Sequence, residues 1–167
     1  ASRLLPDGVE VCIVGGTPAD LVSFRRCVAE ERLDRVRGIG HVPPKEVPVW
    51  LAAANVLALP NSGRESISAR YTSPLKLYEY MASGRPIVAS DLPSLREALT
   101  HGENTWFVAP DNPAALAAGI SAILDDPARA GAMAERARKS VQGHTWTVRA
   151  ERIVAFVSRV LEAEPAT

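Results

Sequence analysis

The sequence predicts an α/β fold in which a parallel sheet carries helices on both faces. Three observations lead there. Short apolar runs rich in β-branched residues alternate with longer segments of helical periodicity. The runs are nearly continuous rather than alternating, as strands buried on both faces are. Glycine, proline, asparagine and aspartate punctuate almost every junction. Strands and helices in this order make right-handed βαβ units, and ligands of such sheets sit outside the carboxyl ends of the strands.

In chain order, Ser2 to Leu5 reads as the end of a helix stopped by Pro6-Asp7-Gly8. Val9 to Val14 is the first strand, broken by Gly15-Gly16. Thr17 caps a helix that starts on Pro18, with Leu21, Phe24, Val28 and Leu33 as its apolar stripe. Arg35 to Gly40 is a strand and His41-Val42-Pro43-Pro44 the turn after it. A helix from about Lys45 is expected to carry Val49, Trp50 and Ala53 inward. Val56 to Leu59 is a buried strand closed by Pro60-Asn61, and residues 61–72 form a polar loop of a length that tends to be functional.

A helix then begins on Ser73-Pro74 and stops at Gly84, before the buried strand Pro86 to Ala89. Asp91-Leu92-Pro93 opens a short helix to about Leu99. Gly102-Glu103-Asn104 turns into a strand from Thr105 to Val108. Asp111-Asn112-Pro113 starts a helix with Leu116, Ile120 and Ile123, and Asp125-Asp126-Pro127 ends it and opens another to about Val141. An amphipathic helix from about Thr147 to Glu162 ends the chain, with Trp146 expected as a packing anchor before it.

Composition narrows the function. A chain of 167 residues makes one domain able to bury roughly 70% of its unfolded surface. Lys and Arg number 19, as do Asp and Glu, so no basic field attracts nucleic acid. No apolar run approaches the ~20 residues of a bilayer span, and the first residues show no leader pattern. Cys12 and Cys27 lack metal spacing; Cys12, in an apolar run, is expected as a packed thiol. A reducing, cytoplasmic setting is expected. No Ser/His/Asp arrangement and no metal-spaced cluster is readable, so no metal site is expected.

One stretch breaks a local rule. Lys76 falls in the first turn of its helix, where the macrodipole favours negative charge. A serine cap, free backbone N–H groups and a lysine at one helix start suit a phosphate. Lys76 and Glu79, three apart, share a face; the plainer alternative is an exposed ion pair worth a few tenths of a kcal/mol. Leu75, Tyr78, Ala82, Leu77 and Met81 suggest a helix buried on most sides. Gly15-Gly16 lacks a dinucleotide or phosphate-loop fingerprint and reads as a tight turn that could also admit a ligand closely. His41 sits on the same expected rim. His101 and His144 read as surface residues, and Arg64, Glu65 and Arg70 as solvated ones.

Five segments together resemble a known family: I-V-G-G-T-P-A-D-L, G-H-V-P-P-K-E-V, A-N-V-L-A-L-P-N, S-P-L-K-L-Y-E-Y-M-A-S-G-R-P-I-V-A-S-D-L-P-S-L-R-E and H-T-W-T-V-R-A-E-R-I. They are similar to the C-terminal, donor-binding half of GT-B glycosyltransferases of the retaining group 1, or family four, set. The resemblance implies a Rossmann-like domain over residues 1–145 with its first strand missing. It also implies a helix and tail over 146–167 that pack back toward a missing N-terminal acceptor domain. The donor would be a UDP- or GDP-sugar, transferred with retention and without a metal or other cofactor. Ser73, Pro74, Leu75, Lys76 and Leu77, with Tyr71 and Thr72 before them, would bind the diphosphate. Glu79 would take the ribose, His41-Val42 the base, and Gly15-Gly16 would give close approach. Lys76 and Glu79 are the catalytic candidates, and the leaving diphosphate would be stabilised by fixed donors and cations, Lys76 among them.

Two departures stand out. Tyr71 occupies the place of the first glutamate in the family's E-x7-E motif, which bears on donor-sugar recognition. The family's Arg/Lys pair, which follows the first strand, has no counterpart, so the chain alone is expected to be inactive. Envelope polysaccharide or glycolipid is the acceptor the resemblance implies, with peripheral inner-membrane contact through the full-length protein. The alternatives are a non-catalytic assembly module of the same descent and a nucleotide-sugar epimerase.

Overall fold

Why the sheet buries some apolar runs and leaves others open is visible in a computed structural model, which describes residues 1–64, 69–70 and 75–163. Among these, five strands alternate with helices: β1 Val11–Val14, α1 Pro18–Glu30, β2 Val36–Gly40, α2 Val47–Ala53, β3 Leu57–Leu59, α3 Leu75–Ala82, β4 Ile87–Ser90, α4 Pro93–Arg96, β5 Trp106–Val108, α5 Pro113–Asp125, α6 Pro127–Val141 and α7 Trp146–Ala163. Every strand pair among them is parallel. One sheet is β1-β2 and the other β3-β4-β5. The turn Ser2–Leu4, a 3-10 turn rather than the expected helix end, lies against α5.

The second sheet carries the core, and its strands alternate between two clusters as a period of two requires. Ile87 and Ala89 of β4 with Phe107 of β5 pack with Leu77 and Met81 of α3 and Leu95 of α4. Val88 and Val108 point the other way, against Ile123 of α5 and Ala130 and Met133 of α6. All four residues of β4 are buried, which is what its continuous apolar run implies. Thr105, fully buried, donates its hydroxyl to the Ile87 carbonyl at 3.0 Å.

α5 approaches the sheet closely at Gly119. A β-carbon there would stand 2.6 Å from Val108 Cγ1 and 3.2 Å from Val88 Cγ1. Gly119→Ala is therefore expected to destabilise the chain by about 1–2 kcal/mol, overpacking outweighing the roughly 1 kcal/mol that alanine gains over glycine in a helix. A fall in the urea midpoint checks this; a rise would mean that α5 lifts off the sheet at no cost.

The first sheet departs from expectation. β1 begins at Val11, two residues later than expected, and Cys12, Ile13 and Val14 are exposed. The packed thiol expected at Cys12 is thus an exposed one. The cause is pairing: β1 has only β2 beside it among the described residues, and α1 lies over β2. Val49 of α2, expected inward, is also exposed. Lys45 belongs to a 3-10 turn, Pro44–Glu46, and α2 starts after it. α3 buries Leu77 and Met81 while Leu75, Lys76, Glu79 and Ala82 are exposed, so it has one buried stripe instead of burial on most sides. Trp146, expected as a packing anchor, is 72% exposed, and its ring lies under the Arg149 guanidinium.

Candidate functional site

The loops at the carboxyl ends of the strands are organised by hydrogen bonds that can be followed one at a time. After β1, Gly15 and Gly16 have φ of 116° and 87°, values that any side chain would strain. The Gly15 N–H donates to the Gly40 carbonyl at 2.7 Å, which ties the end of β1 to the end of β2. Beyond Gly40 stand His41, exposed, and Val42, half-buried. Thr17 and Asp20 then cap α1 reciprocally. The Thr17 hydroxyl accepts from the Asp20 N–H at 3.2 Å, and the Asp20 carboxylate accepts from the Thr17 N–H at 2.8 Å. The Thr17 backbone bond, then its hydroxyl, hold the Asp20 carboxyl below its ordinary value.

After β3 the chain opens into a cleft of about 490 Å³, lined by Leu59, Pro60, Asn61, Leu75 and Lys76. Leu75 and Lys76 are the first residues of α3. The side of the cleft formed by these first described residues of α3 therefore carries an ammonium. Lys76 and Glu79 are exposed, and among the described residues neither side chain makes a hydrogen bond or an ion pair. The i,i+3 pair that their spacing allows is not formed, so the Lys76 charge is not neutralised by its own helix.

Two carboxylates stitch the remaining rim. Asp91, at the end of β4, accepts twice from Arg96, at 2.5 and 2.7 Å, and the guanidinium holds its carboxyl low. Asp111, after β5, accepts from the Ser62 hydroxyl at 2.7 Å and the Gly63 N–H at 2.9 Å; these bonds lower its pKa, with Arg64 adding a weaker pull from 3.8 Å. Arg64, expected as solvated, is exposed but makes this loose pair. His101, expected at the surface, is exposed, yet its Nδ1 accepts from the Phe107 N–H at 2.9 Å. His144 stacks on Tyr78 with ring centroids 5.2 Å apart.

The structure thus brings Leu75 and Lys76 together with the end of β3, and keeps Leu77 in the core beneath them. Gly15, Gly16, His41 and Val42 lie at the ends of the first sheet and do not line the cleft. Tyr71, Thr72, Ser73 and Pro74, and Glu65 before them, lie outside the described residues. Asn61 and Asp111 are rim residues that sequence reasoning missed. For Asn61 the available signal is Pro60-Asn61 directly after an apolar strand. Asp111 is 48 residues from its Gly63 partner, and no local pattern announces it.

A sequence model of the family described as "Glycosyl transferases group 1" matches residues 1–126. The chain belongs to the group 1 glycosyltransferases. Its relatives include the phosphatidyl-myo-inositol mannosyltransferase of Mycolicibacterium smegmatis, 34% identical over 158 residues, 94% of this chain and 37% of that protein. Among solved structures, sucrose-phosphate synthase from Thermosynechococcus elongatus superposes with a TM-score of 0.81 at 27% identity, over 98% of this chain and 41% of that one. Anabaena HepE in complex with UDP-glucose does so with a TM-score of 0.75 at 20% identity, over 95% of this chain and 43% of that one, and shows the fold alone. This glycosyltransferase chain has the fold of a C-terminal GT-B domain. It spans about two fifths of the length of these relatives. No described helix is long and apolar enough to cross a membrane.

Proposed function

We propose that the chain is the donor-binding half of a retaining glycosyltransferase, and that its cleft at the start of α3 takes the diphosphate of a UDP- or GDP-sugar. The observation that carries this reading is Lys76, a cation unpaired among the described residues, in the first turn of a helix that faces the carboxyl end of a parallel strand. Glu79, one turn further and equally unpaired, accepts from the ribose hydroxyls. Neighbours whose names include sucrose-phosphate synthase and a UDP-glucose complex support a nucleotide-sugar donor. Of the acceptors the resemblance implies, the relative named phosphatidyl-myo-inositol mannosyltransferase supports the glycolipid.

In this reading Lys76 and the helix start offset the charge that builds on the leaving diphosphate, and no metal is called for. Gly15-Gly16 and the His41-Val42 turn complete the nucleotide seat from the first sheet. Transfer itself requires an acceptor domain. The apolar face of α7, with Ile153, Phe156, Val157 and Val160 exposed, is the surface on which such a domain packs. The same exposed face favours the second reading, a non-catalytic assembly module of glycosyltransferase descent.

Titration of the chain with UDP and with GDP, followed by amide chemical shifts, tests the first reading. One of the two is expected to move the signals of Leu75, Lys76 and Glu79. Silence of these signals with both nucleotides would leave the assembly module as the better account.

A further inference from the structure

We propose that Asp111 is a positioning residue for the cleft: its carboxylate fixes Ser62 and Gly63 and thereby holds Asn61 against the bound donor. This rests on the nucleotide-sugar reading of the cleft. Asn61 lines the cleft with Lys76, is half-buried, and has no hydrogen-bond partner for its side chain among the described residues. A carboxamide both donates and accepts, so Asn61 suits a phosphate oxygen or a sugar hydroxyl beside the Lys76 ammonium.

What keeps Asn61 in place is the next residue along. The Ser62 hydroxyl donates to one Asp111 oxygen at 2.7 Å while the Gly63 N–H donates to the other at 2.9 Å. The Ser62 oxygen in turn accepts from the Arg64 N–H at 3.2 Å. Gly63 sits so close to Leu92 and Pro110 that a β-carbon on it would approach each to 3.3 Å. The loop after β3 is therefore fastened to the loops after β4 and β5 at one point.

Asp111 has φ of 54°, a left-handed conformation in a residue other than glycine. Aspartate tolerates it better than most side chains, but glycine would adopt it more readily. A strained backbone at this place is explained by what the side chain does across the rim.

Two substitutions separate a positioning role from a merely structural one. Asp111→Gly relieves the backbone and removes the acceptor. Asp111→Asn keeps one oxygen for the Gly63 N–H and offers an amide N–H to the Ser62 oxygen. In UDP or GDP titrations, whichever nucleotide the wild-type chain binds, Asp111→Gly is expected to bind about tenfold more weakly, and Asp111→Asn within about twofold of wild type. The Asn61 side-chain amide signals of the nucleotide-free chain should shift in the glycine variant and return in the asparagine variant. Equal nucleotide affinity in Asp111→Gly, or an unmoved Asn61 signal, overturns the positioning role while leaving the nucleotide reading intact. A wild-type chain that binds neither nucleotide overturns that reading and this proposal with it.

Discussion

Replacing Lys76 with alanine is expected to weaken UDP or GDP binding by about 1.5–3 kcal/mol, the worth of a charge-assisted hydrogen bond, or between about tenfold and about 150-fold in Kd. The same change should leave the fold slightly more stable. Lys76 is exposed and unpaired among the described residues, so no native contact with them is lost. Removing a cation from the first turn of a helix relieves an adverse dipole interaction of about 0.3–1 kcal/mol. Opposite signs for affinity and stability are the signature of a residue retained for a ligand. Raising the salt concentration should narrow the gap between Lys76→Ala and wild type, because an exposed ammonium is screened. Calorimetric titration and urea unfolding of the two proteins decide the matter. Equal affinities would remove Lys76 from the site, and a loss of stability matching the loss of affinity would make it a structural residue.

Lys76 is legible in the amino-acid sequence because it violates a rule that acts within one turn of one helix. The same holds for the start of α1, where Thr17, Pro18 and Asp20 are within three residues of one another and form the expected cap. β4 is legible because burial on both faces leaves a continuous apolar run, and all four of its residues are buried. Burial that depends on which element comes alongside is not legible. Val11-Cys12-Ile13-Val14 reads like a central strand, but with β2 as its one partner among the described residues it is an edge, and three of its four side chains are exposed. Val49 and Trp146 depart from expectation for the same reason, since hydrophobicity does not say whether a partner is present. The Asp111 fastening is hidden by sequence separation, since it joins loops that meet only after β3, β4 and β5 have aligned. The rim is readable as a place, through the parallel order of strands, but not as a set of contacts.

Two apolar helices of similar length should respond oppositely to truncation of their side chains. Met133 of α6 is fully buried among Val88, Val108 and Ile123, and Met133→Ala is expected to cost about 2–5 kcal/mol as the site loses its contacts and keeps part of the cavity. Ile153 and Val157 of α7 lie on the apolar face of an 18-residue helix, and both are about half exposed. Replacing both by alanine should change stability by no more than about 0.5 kcal/mol per site, with a small gain in helix propensity on the favourable side. What the α7 substitutions should change is association, because Trp146, Ile153, Val154, Phe156, Val157, Val160 and Leu161 together present a large apolar surface to water. Light scattering on the wild-type chain should show concentration-dependent association that the Ile153→Ala, Val157→Ala double variant reduces. Urea midpoints measured at low concentration separate the two cases. A loss at Ile153 and Val157 comparable with that at Met133 would mean that α7 folds back onto this chain in solution, and its apolar face would no longer be free for an acceptor domain. A monodisperse chain with unchanged midpoints would show that the face is tolerated in water, and would weaken the case for a partner.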